Sequence, residues 1–151
     1  MLIARLLKAD CRMLKAECCT VRPGVLESVI AHALAARPSE CCGVLLGKEG
    51  EIVEAVRTRN LAQSANRFLI DPEDHINARR AARDRGLDVV GFYHSHPSST
   101  PEPSATDLAE ASYPDHVYLI VGLGSSPPEA RLYRLAGNGF LELPLVKTGQ
   151  L

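Results

Sequence analysis

The sequence predicts an α/β domain built on a single mixed β-sheet with helices packed against it. Three observations carry this. Segments with helical spacing of apolar residues, beginning near residues 23 and 72, alternate with strand-like runs in the first part of the chain. Two later runs, Asp88–His94 (DVVGFYH) and Val117–Leu123 (VYLIVGL), are apolar enough to be central strands covered on both faces. Strands then cluster toward the end of the chain.

Taken in order, residues 1–16 show helical spacing at Leu2, Leu6 and Leu7 without a capping signal, and Met13 offers a second start. They read as an N-terminal extension ahead of one domain over residues 17–151. Residues 17–22 (ECCTVR) suit a short strand. Pro23 suits the first turn of a helix whose apolar face is Val25, Leu26, Val29, Ile30, Ala33 and Leu34, running to Ala36 and stopped by Pro38. Cys41–Lys48 and Glu51–Arg59 form a hairpin turning at Glu49-Gly50, and Arg67–Ile70 reads as another short strand. Asp71 caps a second helix with Pro72 at its first position and Gly86 beyond its end. After Asp88–His94 comes a Pro/Ser-rich loop, then a short helix over Ser104–Ala111 and the strand Val117–Leu123. Ala130–Leu135 and Phe140–Val146 form a final hairpin around Gly137-Asn138-Gly139.

The chain has 151 residues, enough for one domain, with 46% hydrophobic and 23% charged residues. Its 17 basic and 18 acidic residues give a formal net charge of −1, so it carries no electrostatic footprint for nucleic acid or for an anionic membrane. No apolar run approaches the ~20 residues of a membrane-spanning helix. The N-terminus lacks the pattern of an export signal, because Arg5 and Lys8 interrupt it. Five cysteines, two pairs of them adjacent (Cys18-Cys19 and Cys41-Cys42), make a poor disulfide framework and no C-x-x-C zinc site. They read as reduced thiols of a cytoplasmic protein.

The chemistry concentrates in His94-Ser95-His96-Pro97, followed after five residues by Pro103-Ser104-Ala105-Thr106-Asp107. In a strand, residues two apart point to one side, so His94 and His96 project two imidazoles together. Two imidazoles suit Zn²⁺, and Asp107, returned by the Pro-rich loop, would complete a two-His, one-Asp set. Three protein ligands leave a fourth position for water, the layout of a catalytic site. H-x-H alone is weak, and Ser104-x-x-Asp107 is also the pattern of a helix cap. His32 and His75 lie on helices and read as surface or internally satisfied residues; His116 precedes a strand. Cys41 reads as a small buried residue, and Tyr93 as core on the face opposite His94. No H-E-x-x-H or P-C-x-x-C pattern is present.

The whole string resembles the signature of the JAMM (MPN+) metalloproteases: H-S/T-H-P, five residues, P-S-x-x-D, and a glutamate upstream. That glutamate would be Glu40, in PSECCGVLLG. The resemblance covers about residues 17–145 and implies a cytidine deaminase-like α/β architecture. It also implies one zinc ion per chain on His94, His96 and Asp107, Glu40 as general base, and Ser104 as oxyanion donor. The chain is similar to the short, stand-alone prokaryotic members. The resemblance therefore implies hydrolysis of an amide at the C-terminal Gly-Gly of a ubiquitin-like or sulfur-carrier protein. Two other readings stay open: a non-catalytic MPN scaffold that binds partners, and a zinc hydrolase of a small amide or peptide.

Overall fold

The structure, a computed structural model, describes residues 19–149. The extension over residues 1–16, Cys11 and Cys18, and the first part of the 17–22 strand lie outside the described residues. The described chain folds as eight strands and three helices. The strands are β1 (Thr20–Val21), β2 (Cys42–Lys48), β3 (Glu51–Thr58), β4 (Asp88–His96), β5 (Val117–Gly122), β6 (Glu129–Ala136), β7 (Gly139–Leu143) and β8 (Val146–Lys147); the helices are α1 (Val25–Ala36), α2 (Pro72–Asp84) and α3 (Ala105–Glu110). None of these helices is long and apolar enough to cross a membrane.

All eight strands form one mixed sheet in the order β7-β6-β5-β4-β2-β3-β1-β8. β4 and β5 run parallel, as do β1 with β3 and β1 with β8; the other pairs are antiparallel. The central strands alternate between two cores. Leu45, Tyr93, Leu119 and Val121 pack on one face with Val29 and Ala33 of α1. Val44, Leu46, Phe92, Tyr118 and Ile120 pack on the other with Ala78 and Ala82 of α2. Covering both faces is why these strands read as continuous apolar runs.

The second helix starts as expected: Asp71 accepts the Glu73 N–H at 2.8 Å, Pro72 stands at the first position, and Gly86 follows with φ 72°. Four expectations need correction. α1 begins at Val25, not Pro23, because Gly24 turns the chain with a left-handed φ of 94°. Leu34 is 47% exposed, since α1 lays only Val25, Val29 and Ala33 fully on the sheet. Arg67–Ile70 forms no strand beyond an isolated bridge between Asn60 and Ile70; the Asn60 side chain bonds the Arg67 carbonyl and the Leu69 N–H, and Leu61 N–H bonds the Leu69 carbonyl. Finally, β7 ends at Leu143 before Pro144, and Val146 crosses to the far edge of the sheet, where β8 pairs with β1.

Candidate metal centre

β4 runs two residues beyond its sequence-read limit, so His96 as well as His94 belongs to the strand. The two-residue period puts Phe92, His94 and His96 on the α2 face and Tyr93 and Ser95 on the α1 face. The loop over residues 97–104 then folds back and sets Asp107, in the first turn of α3, against both rings. Asp107 Oδ2 lies 3.1 Å from His94 Nε2 and 3.0 Å from His96 Nε2. All three residues are buried, and their ligand atoms lie within 4.8 Å of one another.

The returning loop is held by close backbone contact. Gly124 N–H donates to Ser99 O (3.1 Å), Leu123 N–H to His96 O (3.0 Å), and the Tyr133 hydroxyl to Pro101 O (2.9 Å). A Cβ at Gly122 would stand 2.6 Å from Pro101 N, so only glycine lets the loop lie this close to β5. Ser104 caps α3, its Oγ accepting the Asp107 N–H while its own N–H donates to Asp107 Oδ2. The cap reading of Ser104 therefore holds. The Ser104 side chain stands at the exposed rim, and its hydroxyl proton remains able to donate.

His96 Nδ1 lies 2.8 Å from the Thr100 carbonyl, which can only accept. In the neutral ring Nδ1 therefore carries the proton and Nε2 is left free to bind a metal, the arrangement by which outer partners orient metal-binding imidazoles. His94 is clamped by Phe68, stacked at 4.4 Å and 21°. Burial pushes the His94 pKa down. Burial also disfavours charge on His96, but the Asp107 carboxylate and the Thr100 carbonyl outweigh it and raise the pKa. For Asp107, burial is again opposed, here by the two imidazoles close beside it and the Ser104 N–H, and its carboxyl is held well below the usual carboxylate range.

A divalent cation fits this set. His94 Nε2 is buried and, although close to Asp107, has no aligned hydrogen-bond partner among the described residues. One carboxylate oxygen faces two nitrogens at separations near the ~3.3 Å edge of a tetrahedron drawn with zinc–ligand bonds of about 2.0–2.1 Å. Two His and one Asp is also a zinc donor set with one position left over.

Glu40 immediately precedes Cys41, whose N–H donates to Ser95 Oγ at 2.9 Å. Cys42 pairs with His94, and continuing that antiparallel register sets Glu40 alongside His96. Glu40 is 3% exposed, and its Oε1 has no partner among the described residues. Burial, with Asp107 and Glu110 adding and His96 opposing, pushes its pKa up to about 8. Thus all five sequence-read residues converge: three as a cluster able to hold a metal ion, Glu40 beside it and Ser104 at its rim.

Beside the cluster, a groove of about 440 Å³ is lined by Phe68, Ile70, Phe92, Tyr113, Tyr118 and Phe140, with His94 and Asp107 in its wall. The Arg67–Glu110 ion pair (2.8 Å) joins the 59–70 loop to α3 along it. Sequence reading missed Asn60, Phe68, Thr100 and Tyr133. Their signal is weak because each acts through backbone or stacking contacts that no sequence spacing records. His32 is satisfied by the Tyr93 hydroxyl at 2.8 Å. His75 and His116 pack on Phe92, His116 face to face. Cys41 and Tyr93 are core residues on the α1 side.

Residues 22–136 match the family described as prokaryotic homologs of the JAB domain. The chain is 37% identical over 126 residues to a desampylase of Haloferax volcanii, covering 78% of this chain and 87% of that protein. It is 30% identical over 128 residues to the CysO-cysteine peptidase of Mycobacterium tuberculosis, covering 83% and 88% respectively. A crystal structure of a JAB1/MPN domain protein from Archaeoglobus fulgidus shares the fold, with a TM-score of 0.57 at 21% identity over 86% of this chain and 96% of that one.

Proposed function

The chain belongs to the prokaryotic homologs of the JAB domain, and on that premise we propose that it is a zinc-dependent peptidase. Its substrate is an amide bond at the C-terminal Gly-Gly of a ubiquitin-like or sulfur-carrier protein. His94, His96 and Asp107 would hold one zinc ion, with Thr100 and Phe68 keeping the imidazoles in place. Zinc, when bound, supplies Lewis acidity and brings the pKa of its water toward ~7.

The chain's own groups do the rest. Glu40 accepts the proton of the attacking water and delivers it to the departing amine. Its buried carboxyl, with a raised pKa, suits a group that must both take and return a proton near neutrality. Ser104, at the rim, donates its hydroxyl hydrogen to the carbonyl oxygen as that oxygen becomes negative. The apolar groove keeps bulk water from one side of the reacting bond.

The observation that carries the reading is the convergence of an unpartnered buried carboxylate, Glu40, on a two-His, one-Asp cluster. A binding scaffold has no use for a desolvated, unpaired base. The relatives' names, desampylase and CysO-cysteine peptidase, support the carrier substrate. Only nine residues separate Asp107 from Val117, which leaves little chain to grip a second folded partner and favours a thin Gly-Gly tail. We place the reaction in the cytoplasm; the free, adjacent thiols of Cys41 and Cys42 suit a reducing compartment.

The test incubates the protein with carrier proteins ending in Gly-Gly or extended beyond it, with and without chelator, and follows mass. Chelator-sensitive release of the extension supports the proposal. Cleavage of casein-like chains or small peptide amides with carriers untouched replaces it with a general zinc hydrolase.

A further inference from the structure

Glu40 lies outside helix and strand, and its Oε1 accepts no hydrogen bond among the described residues. A base must nevertheless point one way to meet its proton. Its orientation therefore comes from its main chain, and both main-chain polar groups are held by the loop over residues 59–70. The Glu40 N–H donates to Ser64 O at 2.7 Å, and the Glu40 carbonyl accepts from Asn60 Nδ2 at 3.0 Å.

Asn60 uses the full capacity of its amide. Besides Glu40 O, Nδ2 donates to Arg67 O at 3.2 Å, and Oδ1 accepts the N–H groups of Ala62 (3.0 Å) and Leu69 (2.9 Å). Arg67 and Leu69 are the two neighbours of Phe68, so the same side chain pins both flanks of the residue stacked on His94. Aspartate has no donors to offer here, serine cannot span to Glu40, and glutamine would push past it.

We propose that Asn60 is a positioning residue that fixes the Glu40 base and the Phe68–His94 stack in one register. This rests on the reading of Glu40 as base. Asn60 touches no reacting atom; it acts through the Glu40 carbonyl and the peptide groups around Phe68.

The test is Asn60→Asp, which is isosteric and keeps the acceptor for Ala62 and Leu69 but removes both donors. Asn60→Ser, which can keep the local bond to Ala62, serves if the first variant does not fold. Expected results are unchanged zinc per chain, KM within about threefold, and kcat on a Gly-Gly-extended carrier lowered about 10–100-fold, the scale of a small misplacement of a reacting group. In the background Glu40→Gln, Asn60→Asp should cost little more. A crystal structure of the variant should show the Glu40 carboxylate and Phe68 displaced while His94, His96 and Asp107 stay. Unchanged kcat, an equal loss in the Glu40→Gln background, or an undisplaced Glu40 overturns the proposal. If the parent protein cleaves no carrier, the functional reading fails, and the position of Glu40 in the variant structure still decides the role of Asn60.

Discussion

Ser104 and Asp107 hold each other twice: Ser104 Oγ accepts the Asp107 N–H at 3.0 Å, and Asp107 Oδ2 accepts the Ser104 N–H at 2.9 Å. Oδ2 is the same oxygen that faces both imidazoles. The cap of a six-residue helix, too short to persist alone, thus aims the Asp107 carboxylate at both imidazoles.

Ser104→Ala removes one of those two bonds and leaves the backbone one. Zinc content should stay near that of the parent, the fold should lose about 1 kcal/mol, and turnover should fall about 10²–10³-fold with KM little changed. A thermal melt run beside steady-state kinetics separates the effects; a lowered melting temperature with full turnover leaves Ser104 only a cap.

His96→Ala removes one proposed ligand and frees the Thr100 carbonyl. Metal analysis after dialysis should find most of the zinc gone. Full zinc content in that variant would move the metal elsewhere in the chain.

Glu40→Gln should keep zinc and lose about 10²–10⁴-fold in turnover. It should also change the pH dependence of stability in chelator-treated protein. Burial raises the Glu40 pKa from an ordinary 4.5 to about 8, so the folded state keeps a proton that the unfolded chain releases. That contribution is complete below about pH 4.5 and disappears as pH rises through about 8. Denaturant titrations should show the variant gaining on the parent across that window and holding a constant gap above it. Parallel curves would mean that Glu40 is not desolvated.

Gly122→Ala places a Cβ against the Pro101 nitrogen and the Ser99 carbonyl, both main-chain atoms that cannot swing away. The loop must shift and carry Asp107 with it. Stability should drop by about 1–3 kcal/mol, and zinc should be held less tightly in a competition titration with a chelating dye. Parent-like zinc affinity would show that Asp107 is placed independently of β5.

His94, His96, Ser104 and Asp107 were legible as a candidate set because their spacing is local: a strand with period two, and a cap with its serine three residues before the aspartate; Glu40, 54 residues before His94, was singled out only by the resemblance to the JAMM signature. The cores were legible for the same reason, since strands covered on both faces are apolar throughout. The 59–70 loop was not. Arg67–Ile70 has strand-like composition, yet the Asn60 side chain takes the Arg67 carbonyl and the Leu69 N–H in place of a strand neighbour, which no periodicity records. Nor was the end of the last hairpin legible, because Val146 finds its partner at Thr20, on the opposite edge of the sheet.

That last pairing has a kinetic side. Joining Thr20 to Val146 closes a loop around nearly all the described chain, and the parallel β4–β5 pair encloses α3 and its flanking loops. The ordering entropy of such contacts must be met before they stabilise anything, which slows folding. The hairpin β2–β3 and the β6–β7 turn are short-range and can form early. The outer β1–β8 edge should be the last to zip and the first to exchange its amide hydrogens, while the strand bearing both histidines, four places inside that edge, stays among the slowest to open.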